Sequence, residues 1–187
     1  LASAFRLLTI AAALDTTIEI NNLQIINGYA GPGAYRDAWG GGAYVLGSDA
    51  DYSRFVTFDG VLFQENNADS RGHALYAGGR NITIKNGAFL NNGNNEAGGS
   101  TVFVDNNYWE VLLENNLFYS NGGQTIHNSG YLTLRHNTFW QNDTRNLYAS
   151  QNSFVANVEG NIFGETGYDS CWGSRIASLG YNISFDN

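Results

Sequence analysis

The sequence predicts an all-β solenoid, in which short strands stack coil upon coil. Three observations carry this prediction. An eleven-residue pattern recurs six times along the 187 residues, a second short apolar element lies between copies, and 25 Asn and 23 Gly punctuate the chain. Frequent turn-formers mixed with β-branched and aromatic residues favour short strands joined by turns, and they argue against helices.

The recurring pattern starts with alternating apolar residues. Each copy has apolar residues at positions one and three, Asn, Gly or His at five, an aromatic residue or Ile at eight, and usually Asn at eleven. The copies are IEINNLQIING (18–28), VTFDGVLFQEN (56–66), ITIKNGAFLNN (82–92), VLLENNLFYSN (111–121), LTLRHNTFWQN (132–142) and ANVEGNIFGET (156–166). Their starting points are 38, 26, 29, 21 and 24 residues apart. The spacing never falls below 21 residues but often exceeds it. This indicates coils of three strands that are joined by loops of different length.

Equivalent residues of stacked coils lie about 4.8 Å apart, so each pattern position predicts a column. Position eight predicts an inward stack of Ile25, Phe63, Phe89, Phe118, Phe139 and Phe163. Position five predicts tight left-handed turns at Asn22, Gly60, Asn86, Asn115, His136 and Gly160. Position eleven reads Gly28, Asn66, Asn92, Asn121, Asn142 and Thr166, and it predicts a ladder of amides bonded along the stack. The asparagines are therefore expected at the corners of the coil.

These repeats resemble those of the right-handed parallel β-helix of pectate-lyase-like proteins, and especially those of bacterial secreted or surface-anchored β-helix repeat proteins. The resemblance is carried by the I-x-I-x-N-x-x-F-x-x-N copies, by GGAYV (41–45) and GHALY (72–76), and by SLGYNIS (178–184). It implies one right-handed parallel β-helix domain over residues 1–187 with about seven coils. It also implies an extracellular or cell-surface location.

The family convention names the strand before the Asn corner the second sheet, the aromatic strand the third, and the GGAYV-like strand the first. On the second sheet, one outward column reads Asn21, Asp59, Lys85, Glu114, Arg135 and Glu159. Its alternating signs predict a surface ladder of weak ion pairs that keeps the coils in register. Because each acid has a base beside it, catalytic carboxylates are not expected in this column.

Pectate-lyase-like enzymes place acidic calcium ligands and a basic residue on the outside of the first sheet. Here we predict two outward columns on that sheet, Ala43, Ala74, Thr101, Thr125 and Asn146, and Val45, Tyr76, Phe103, His127 and Tyr148. Neither contains a carboxylate or an Arg, so no catalytic residue is carried over. The carboxylates that could act lie in loops, including Asp37, Asp69 and Glu96. No cofactor is predicted, and calcium would be needed only by a lyase.

The feature that points to a ligand is aromatic. Tyr76, Phe103, His127 and Tyr148 are expected to form an outward stripe, and the loop 28–41 brings Tyr35 and Trp39 to the same edge. Ring faces along a groove suit sugar rings because each offers a large apolar area at low entropic cost. Together with Asp37, Asp69 and Glu96, these six residues form the predicted substrate-binding set. Such stripes also occur as purely structural ladders, and that interpretation stays open.

The composition excludes other classes of partner. A net charge of −8 with only nine scattered Lys and Arg argues against nucleic acid, and no apolar run is long enough for a membrane span. One Cys excludes an internal disulfide framework, and the three His fall in separate columns, so no metal site is predicted. Both ends lack a visible polar cap, which predicts either excision from a longer protein or stacking end to end.

An apolar outer surface is predicted on the third sheet, from Leu62, Leu90, Leu117, Tyr119, Trp140 and Ile162. With the uncapped ends, it suggests self-association. The sequence is therefore interpreted as a secreted or cell-surface module that binds carbohydrate or acts in adhesion. Two alternatives remain: a polysaccharide lyase or glycoside hydrolase, and a purely structural stalk or self-assembling subunit.

Overall fold

The computed structural model describes residues 5–11, 17–32, 37–46, 55–79, 81–93, 99–105, 109–150, 154–166 and 168–185. All 23 regular elements in these ranges are β-strands, and 21 of them form three parallel sheets of seven strands each. Successive strands along the chain pass from the first sheet to the second and the third, and then back to the first. The predicted parallel β-helix of about seven coils is confirmed.

Each sheet collects one strand from every coil. The first sheet contains β1 (Leu8–Ile10), β5 (Ala43–Val45), β9 (Leu75–Gly78), β12 (Ser100–Asp105), β15 (Gln124–Asn128), β18 (Leu147–Ala149) and β21 (Cys171–Gly173). The second contains β2 (Thr17–Asn21), β6 (Phe55–Asp59), β10 (Asn81–Lys85), β13 (Glu110–Glu114), β16 (Tyr131–Arg135), β19 (Ala156–Glu159) and β22 (Ile176–Gly180). The third contains β3 (Gln24–Ile26), β7 (Leu62–Gln64), β11 (Ala88–Leu90), β14 (Leu117–Tyr119), β17 (Thr138–Trp140), β20 (Ile162–Phe163) and β23 (Ile183–Ser184). A separate pair consists of β4 (Tyr29–Ala30) and β8 (Asn67–Ala68).

The strand register matches the sequence repeat. On the second sheet Ile82 pairs with Val111, and Val111 pairs with Leu132, all at the first position of their copies. The register shifts between β19 and β22, where Val158 pairs with Ser178 but Glu159 pairs with Gly180. Leu179 is thus an extra residue in the last coil, a bulge of the kind that re-aims a strand locally.

The predicted inward aromatic stack is confirmed on the third sheet. Five phenylalanines from successive coils are buried in one core cluster. Their ring centres lie 4.8, 4.6, 4.7 and 5.0 Å apart from Phe63 to Phe163, and the rings are within 5° to 14° of parallel. The spacing of the rings therefore equals the spacing of the strands that carry them. Aliphatic residues of the first and second sheets, among them Leu75 and Leu113, fill the rest of the core.

The corner after the second sheet has the predicted left-handed backbone. All six residues at the fifth position have a positive φ, from 53° at Asn22 to 64° at Gly60. A second left-handed corner follows the third sheet, at Asn27, Glu65, Asn91, Ser120 and Gln141, with φ of 50° to 62°. The sequence pattern did not single it out, because the residues that occupy it share no side-chain type.

The predicted amide ladder runs through the coil corner after the third sheet. The Nδ2 atoms of Asn66, Asn92 and Asn121 each donate to the Oδ1 atom of the Asn in the next coil, at 3.0 Å in all three cases. The same amides donate to backbone carbonyls of the preceding coil, such as that of Phe89 from Asn121. Each buried amide therefore satisfies backbone groups that would otherwise lose their hydrogen bonds with water.

A second buried ladder, which the sequence analysis missed, lies at the sixth position. It links Asn116, Asn137, Asn161 and Asn182 through Nδ2 to Oδ1 contacts of 3.0, 3.0 and 3.2 Å. Its sequence signal is an Asn directly after the corner residue in four successive coils, in the dipeptides NN, HN, GN and YN. Only the corner residue beside this Asn was interpreted, so the second ladder was not predicted.

The ion-pair column on the second sheet is confirmed in two places. Lys85 Nζ lies 3.2 Å from Asp59 Oδ2, and Arg135 lies 3.6 Å from Glu114 and 3.3 Å from Glu159. A hydrogen bond from Asn86 and, to a smaller extent, one from Lys85 hold the pKa of Asp59 below its ordinary value. All of these side chains remain in contact with solvent, so each pair contributes little to stability.

The outer face of the third sheet is apolar, as predicted. Leu117, Tyr119 and Ile162 are exposed there, and the ring of Trp140 lies over Gly164, where even a Cβ atom would collide with it. Self-association through this face stays a prediction, as does self-association through the ends.

Replacing Phe118 by Ala should lower the free energy of unfolding by about 3 to 5 kcal/mol, because the ring is fully buried between Phe89 and Phe139. Chemical denaturation measures the change. The neighbouring Tyr119 side chain is exposed, so Tyr119→Ala is the matched control and should cost less than about 1 kcal/mol. Equal losses in the two variants would contradict the observed register, since a shift of one residue exchanges the two faces.

Replacing Asn121 by Ala should cost about 3 kcal/mol or more, because its amide makes four buried hydrogen bonds, to Asn92, Asn142 and the Phe89 carbonyl. Asn115→Gly is the control, since Asn115 is an exposed corner residue and Gly keeps its left-handed φ. Thermal or urea unfolding should show a loss below about 1 kcal/mol for that control. A near-neutral Asn121→Ala variant would show that the ladder does not stabilise the stack.

Candidate functional site

A column of rings follows the outer face of the first sheet. It consists of Tyr44, Tyr76, Phe103, His127, Tyr148 and Trp172, one from each of six successive coils. Adjacent ring centres are 5.0, 5.6, 4.6, 4.7 and 5.1 Å apart. We call this column the ring stripe. Four of its members were predicted from the sequence, and the structure adds one ring at each end.

The alignment that placed Val45 first in the predicted outward column was wrong. Val45 pairs with Ala77, whereas Tyr44 pairs with Tyr76, so Val45 and Ala43 point into the core and the Tyr44 ring points out. The error came from aligning GGAYV with GHALY on their first residues. Three consecutive glycines, 40 to 42, leave the starting point ambiguous, and a slip of one residue exchanges the two faces of a strand.

The second column predicted to lie outside the first sheet is also buried. Ala74, Thr101, Thr125 and Asn146 have no exposed surface. Asn146 Oδ1 accepts a hydrogen bond of 3.0 Å from Asn142 Nδ2, so this column adjoins the buried amide ladder at the corner between the third and first sheets. These residues are part of the scaffold and do not line a groove.

The half of the ring stripe in the earlier coils is closed. Tyr76 and Phe103 are only 4% and 3% exposed, and with Tyr44 they form a second apolar cluster against which Trp39 and Leu46 pack. The Trp39 ring stacks on Tyr76 with ring centres 4.8 Å apart. Tyr76 and Phe103, which were predicted to lie in an outward stripe, are therefore covered by side chains of the same protein.

Charged groups surround this closed half. The Tyr76 hydroxyl donates to Asp105 Oδ2 at 2.5 Å, and burial, helped by this carboxylate, raises the pKa of Tyr76 far above its ordinary value. The guanidinium of Arg71 lies 4.5 Å from the centre of the Phe103 ring and 5.3 Å from that of Trp39. Such placements are favourable because the ring face is electron-rich.

The half of the ring stripe in the later coils is open. His127 and Tyr148 are half-buried, and Trp172 is 40% exposed with its ring 12° from parallel to that of Tyr148. Arg145 lies 5.2 Å from the Trp172 ring and 5.5 Å from the ring of Tyr168, which is 58% exposed. We call Tyr148, Trp172, Tyr168 and Arg145 the open platform. Three of these residues were missed, although an alignment of NLY (146–148) with SCW (170–172) would have found Trp172.

The predicted loop residues fall into three groups. Trp39 joins the closed cluster, as described above. Asp37 and Asp69 are exposed beside it. They lie two residues before Trp39 and Arg71, whose backbones form an isolated parallel β-bridge. Asp69 Oδ1 accepts a 2.6 Å hydrogen bond from the Tyr29 hydroxyl. Tyr35 and Glu96 lie outside the described residues. Within the described ranges no three His, Cys, Asp or Glu side chains are grouped so that they could hold a metal ion.

Two histidines are held in the neutral form. Burial lowers the pKa of His73 to about 4, and its Nδ1 atom accepts a 3.1 Å hydrogen bond from the Ala68 amide. Its ring lies against Gly93 and Gly99, where a Cβ atom would come within 2.7 Å of it. Burial, followed by the positive charge of Arg71, also lowers the pKa of His127 to about 4.

Comparison with known protein families gives one match. The model of the right-handed β-helix region matches residues 10–183, which is nearly the whole chain. The chain belongs to the right-handed β-helix family. The match covers every coil of this β-helix, and it gives the hand of the coil. Neither a search of curated proteins nor a search of solved structures gave a significant match. The described residues include no helix of the length and apolarity that crossing a membrane requires.

The free energy of unfolding of this β-helix should fall as the pH is lowered from about 6.5 to about 4. Below the ordinary His pKa the unfolded chain takes up protons that folded His73 and His127, with pKa values of about 4, do not bind. The contribution of the two histidines to the free energy of unfolding is therefore complete above about pH 6.5 and is lost as the pH falls to about 4. His73 alone accounts for a loss of about 3 kcal/mol between these pH values.

Urea unfolding between these pH values tests the effect, with His73→Gln as the comparison. The variant removes the titrating ring, so its stability should depend less steeply on pH than that of the parent protein. Identical slopes in the two proteins would assign the acid sensitivity to other groups.

Proposed function

We propose that this β-helix is a secreted or cell-surface module that binds carbohydrate or acts in adhesion, and that the open platform is its contact surface. The observation that carries the proposal is the stack of partly exposed rings, in which Tyr148 and Trp172 lie 5.1 Å apart. The extracellular location is supported by the resemblance to secreted and surface-anchored β-helix repeat proteins.

The chemistry of the platform suits a saccharide. A pyranose ring presents an apolar face of C–H groups and an edge of hydroxyl groups, so it needs a flat apolar surface bordered by hydrogen-bonding groups. Trp172 and Tyr168 offer exposed ring faces, and the Arg145 guanidinium beside them offers N–H donors. The rings are held in place by the stripe beneath them, so binding requires little additional ordering of side chains.

The closed half of the ring stripe has a supporting role in this proposal. Tyr76 and Phe103 fix the column from which Tyr148 and Trp172 continue, and their burial keeps them from direct contact with a large ligand. Asp37 and Asp69 are proposed to contribute peripheral hydrogen bonds at the far edge, because both are exposed there.

A polysaccharide lyase or glycoside hydrolase is the second candidate, and one observation favours it. Tyr76, Asp105, Arg71 and His127 meet around the Phe103 ring, which lies 4.6 Å from the His127 ring. A neutral His and a nearby Arg are the groups that proton abstraction beside a carboxylate would need. The raised pKa of Tyr76 keeps its phenol protonated, so this residue would not serve as the base.

Replacing both Tyr148 and Trp172 by Ala should abolish glycan binding while the coil stays folded. Binding to a polysaccharide and glycan array, followed by titration calorimetry of each glycan that binds, measures the loss, which should exceed about a hundredfold for two lost ring contacts. Circular dichroism reports whether the fold is intact. Tyr119→Ala is the matched control, because Tyr119 lies on the third sheet and is as exposed as Trp172.

Three outcomes would contradict the proposal. Equal binding by the double variant and the parent protein would remove the open platform from the contact surface. Turnover of a polysaccharide, with or without added calcium, that disappears in His127→Gln and Arg71→Ala would establish the enzyme instead. A protein that binds no glycan but forms large assemblies in light scattering would be a structural subunit.

A further inference from the structure

A separate cavity lies on the outer face of the second sheet, on a different side of the coil from the ring stripe. Its volume is about 290 Å³, and it is lined by Glu110, Tyr131, Leu132, Thr133, Val155 and Asn157. These residues come from β13, β16 and β19 and from the segment entering β19, so three successive coils build it. We call it the second-sheet groove.

One wall of the second-sheet groove is a fixed aromatic ring. Tyr131 is 41% exposed, and its ring stacks on that of Phe154 with ring centres 4.1 Å apart and an angle of 20°. Val155, which directly precedes β19 and is 45% exposed, extends the apolar surface. Exposure of such apolar groups to water is unfavourable, so a ligand that covers them gains binding free energy.

Several polar groups of the groove have hydrogen-bonding capacity that the fold does not use. Among the described residues, no hydrogen bond engages the Asn157 amide or the Tyr131 hydroxyl. The Glu110 carboxylate accepts one hydrogen bond, from Thr133 Oγ1 to Oε1 at 2.5 Å, which fixes its orientation and leaves Oε2 for another donor. The adjacent column differs, because its charges pair with one another at Asp59 and Lys85 and around Arg135. The groove thus presents donors and acceptors at Tyr131, Asn157 and Glu110 Oε2 that a ligand can use.

The lining determines the class of ligand. Among the described residues, the lining contains one carboxylate and no cationic side chain, and the protein carries a net charge of −8, so anionic ligands are disfavoured. Carboxylate and amide groups arranged beside a ring face match the hydroxyl edge and the C–H face of a sugar. The volume lies at the lower limit for small-molecule sites, which limits the occupant to about one ring.

We propose that the second-sheet groove is a saccharide-binding site, independent of the open platform, that takes one ring of a neutral sugar. The Tyr131 ring stacks against the face of the sugar, Glu110 Oε2 accepts from its hydroxyl groups, and the Asn157 amide both donates and accepts. Two such sites on different sheets would allow one molecule to hold two sugar chains, or two points of one chain. This raises avidity without any new contact at either site.

Titration of the isotope-labelled protein with the methyl glycosides of glucose, galactose, mannose and N-acetylglucosamine tests the proposal by NMR. At least one probe should shift the amide signals of residues 131–133 and 155–157, with a Kd near ~1 to 10 mM, as expected for a single ring. Glucuronate should bind more weakly than glucose because of Glu110. Absence of shifts at these residues with all four probes, or tighter binding of glucuronate, would overturn the proposal.

Variants separate the groove from the platform. Tyr131→Ala and Asn157→Ala should each weaken binding of the probe to the groove at least about tenfold, and Glu110→Gln should do the same because it removes one acceptor. Phe55→Ala is the matched control, since Phe55 is an exposed aromatic residue in the same column, three coils before Tyr131, and should leave binding unchanged. All four side chains are at the surface, so the fold should survive.

The double replacement of Tyr148 and Trp172 should not change the shifts at residues 131–133. If that variant abolishes them, the groove is not a site of its own and the proposal is wrong. If it leaves them intact while polysaccharide binding is lost, both sites stand. Loss of the groove signals in Tyr131→Ala together with normal polysaccharide binding would support the groove and leave the proposed platform unaffected.

Discussion

The whole molecule depends on the parallel register between successive coils. Strands one coil apart must place like residues at one strand spacing, because each strand's backbone groups bond to the coils above and below. The stacked phenylalanines are separated by that same distance, 4.6 to 5.0 Å, and the buried asparagines bond at 3.0 Å along it. A ring or amide that left its column would lose two neighbours at once. Register, packing and hydrogen bonding therefore support one another.

The two amide ladders explain how so polar a chain forms a core. With 25 Asn in 187 residues, most polar groups would have to stay in water, yet residues such as Asn92 and Asn137 are buried completely or almost so. Each donates both to a carbonyl of one coil and to the amide of another, so the corners are satisfied without solvent. Because these corners are rigid, loops of different length can be inserted between coils without disturbing the sheets.

The outer faces follow from the same constraint, but they differ in what they can do. On the second sheet the column alternates in charge and pairs with itself, whereas the neighbouring groove at Glu110 and Tyr131 does not. On the first sheet one continuous stripe has a closed half, covered by Trp39 and Arg71, and an open half ending at Trp172. A single repeat thus gives surfaces of distinct chemistry, because the core packing that fixes the type of the inward residues does not fix the type of the outward ones.

The sequence by itself determined the coil, the inward Phe63 to Phe163 stack, the left-handed corners at Asn86 and its equivalents, and one amide ladder. Each of these depends on residues that repeat in the chain, and the repeat is what the stacking requires. Only the tertiary structure decided that Tyr44 and not Val45 begins the ring stripe, that Tyr76 and Phe103 are covered, and that Tyr131 faces a cavity. The glycines before Tyr44 leave its alignment ambiguous, and the other two features depend on loops and on contacts between coils that follow no period, so the repeat alone does not locate them.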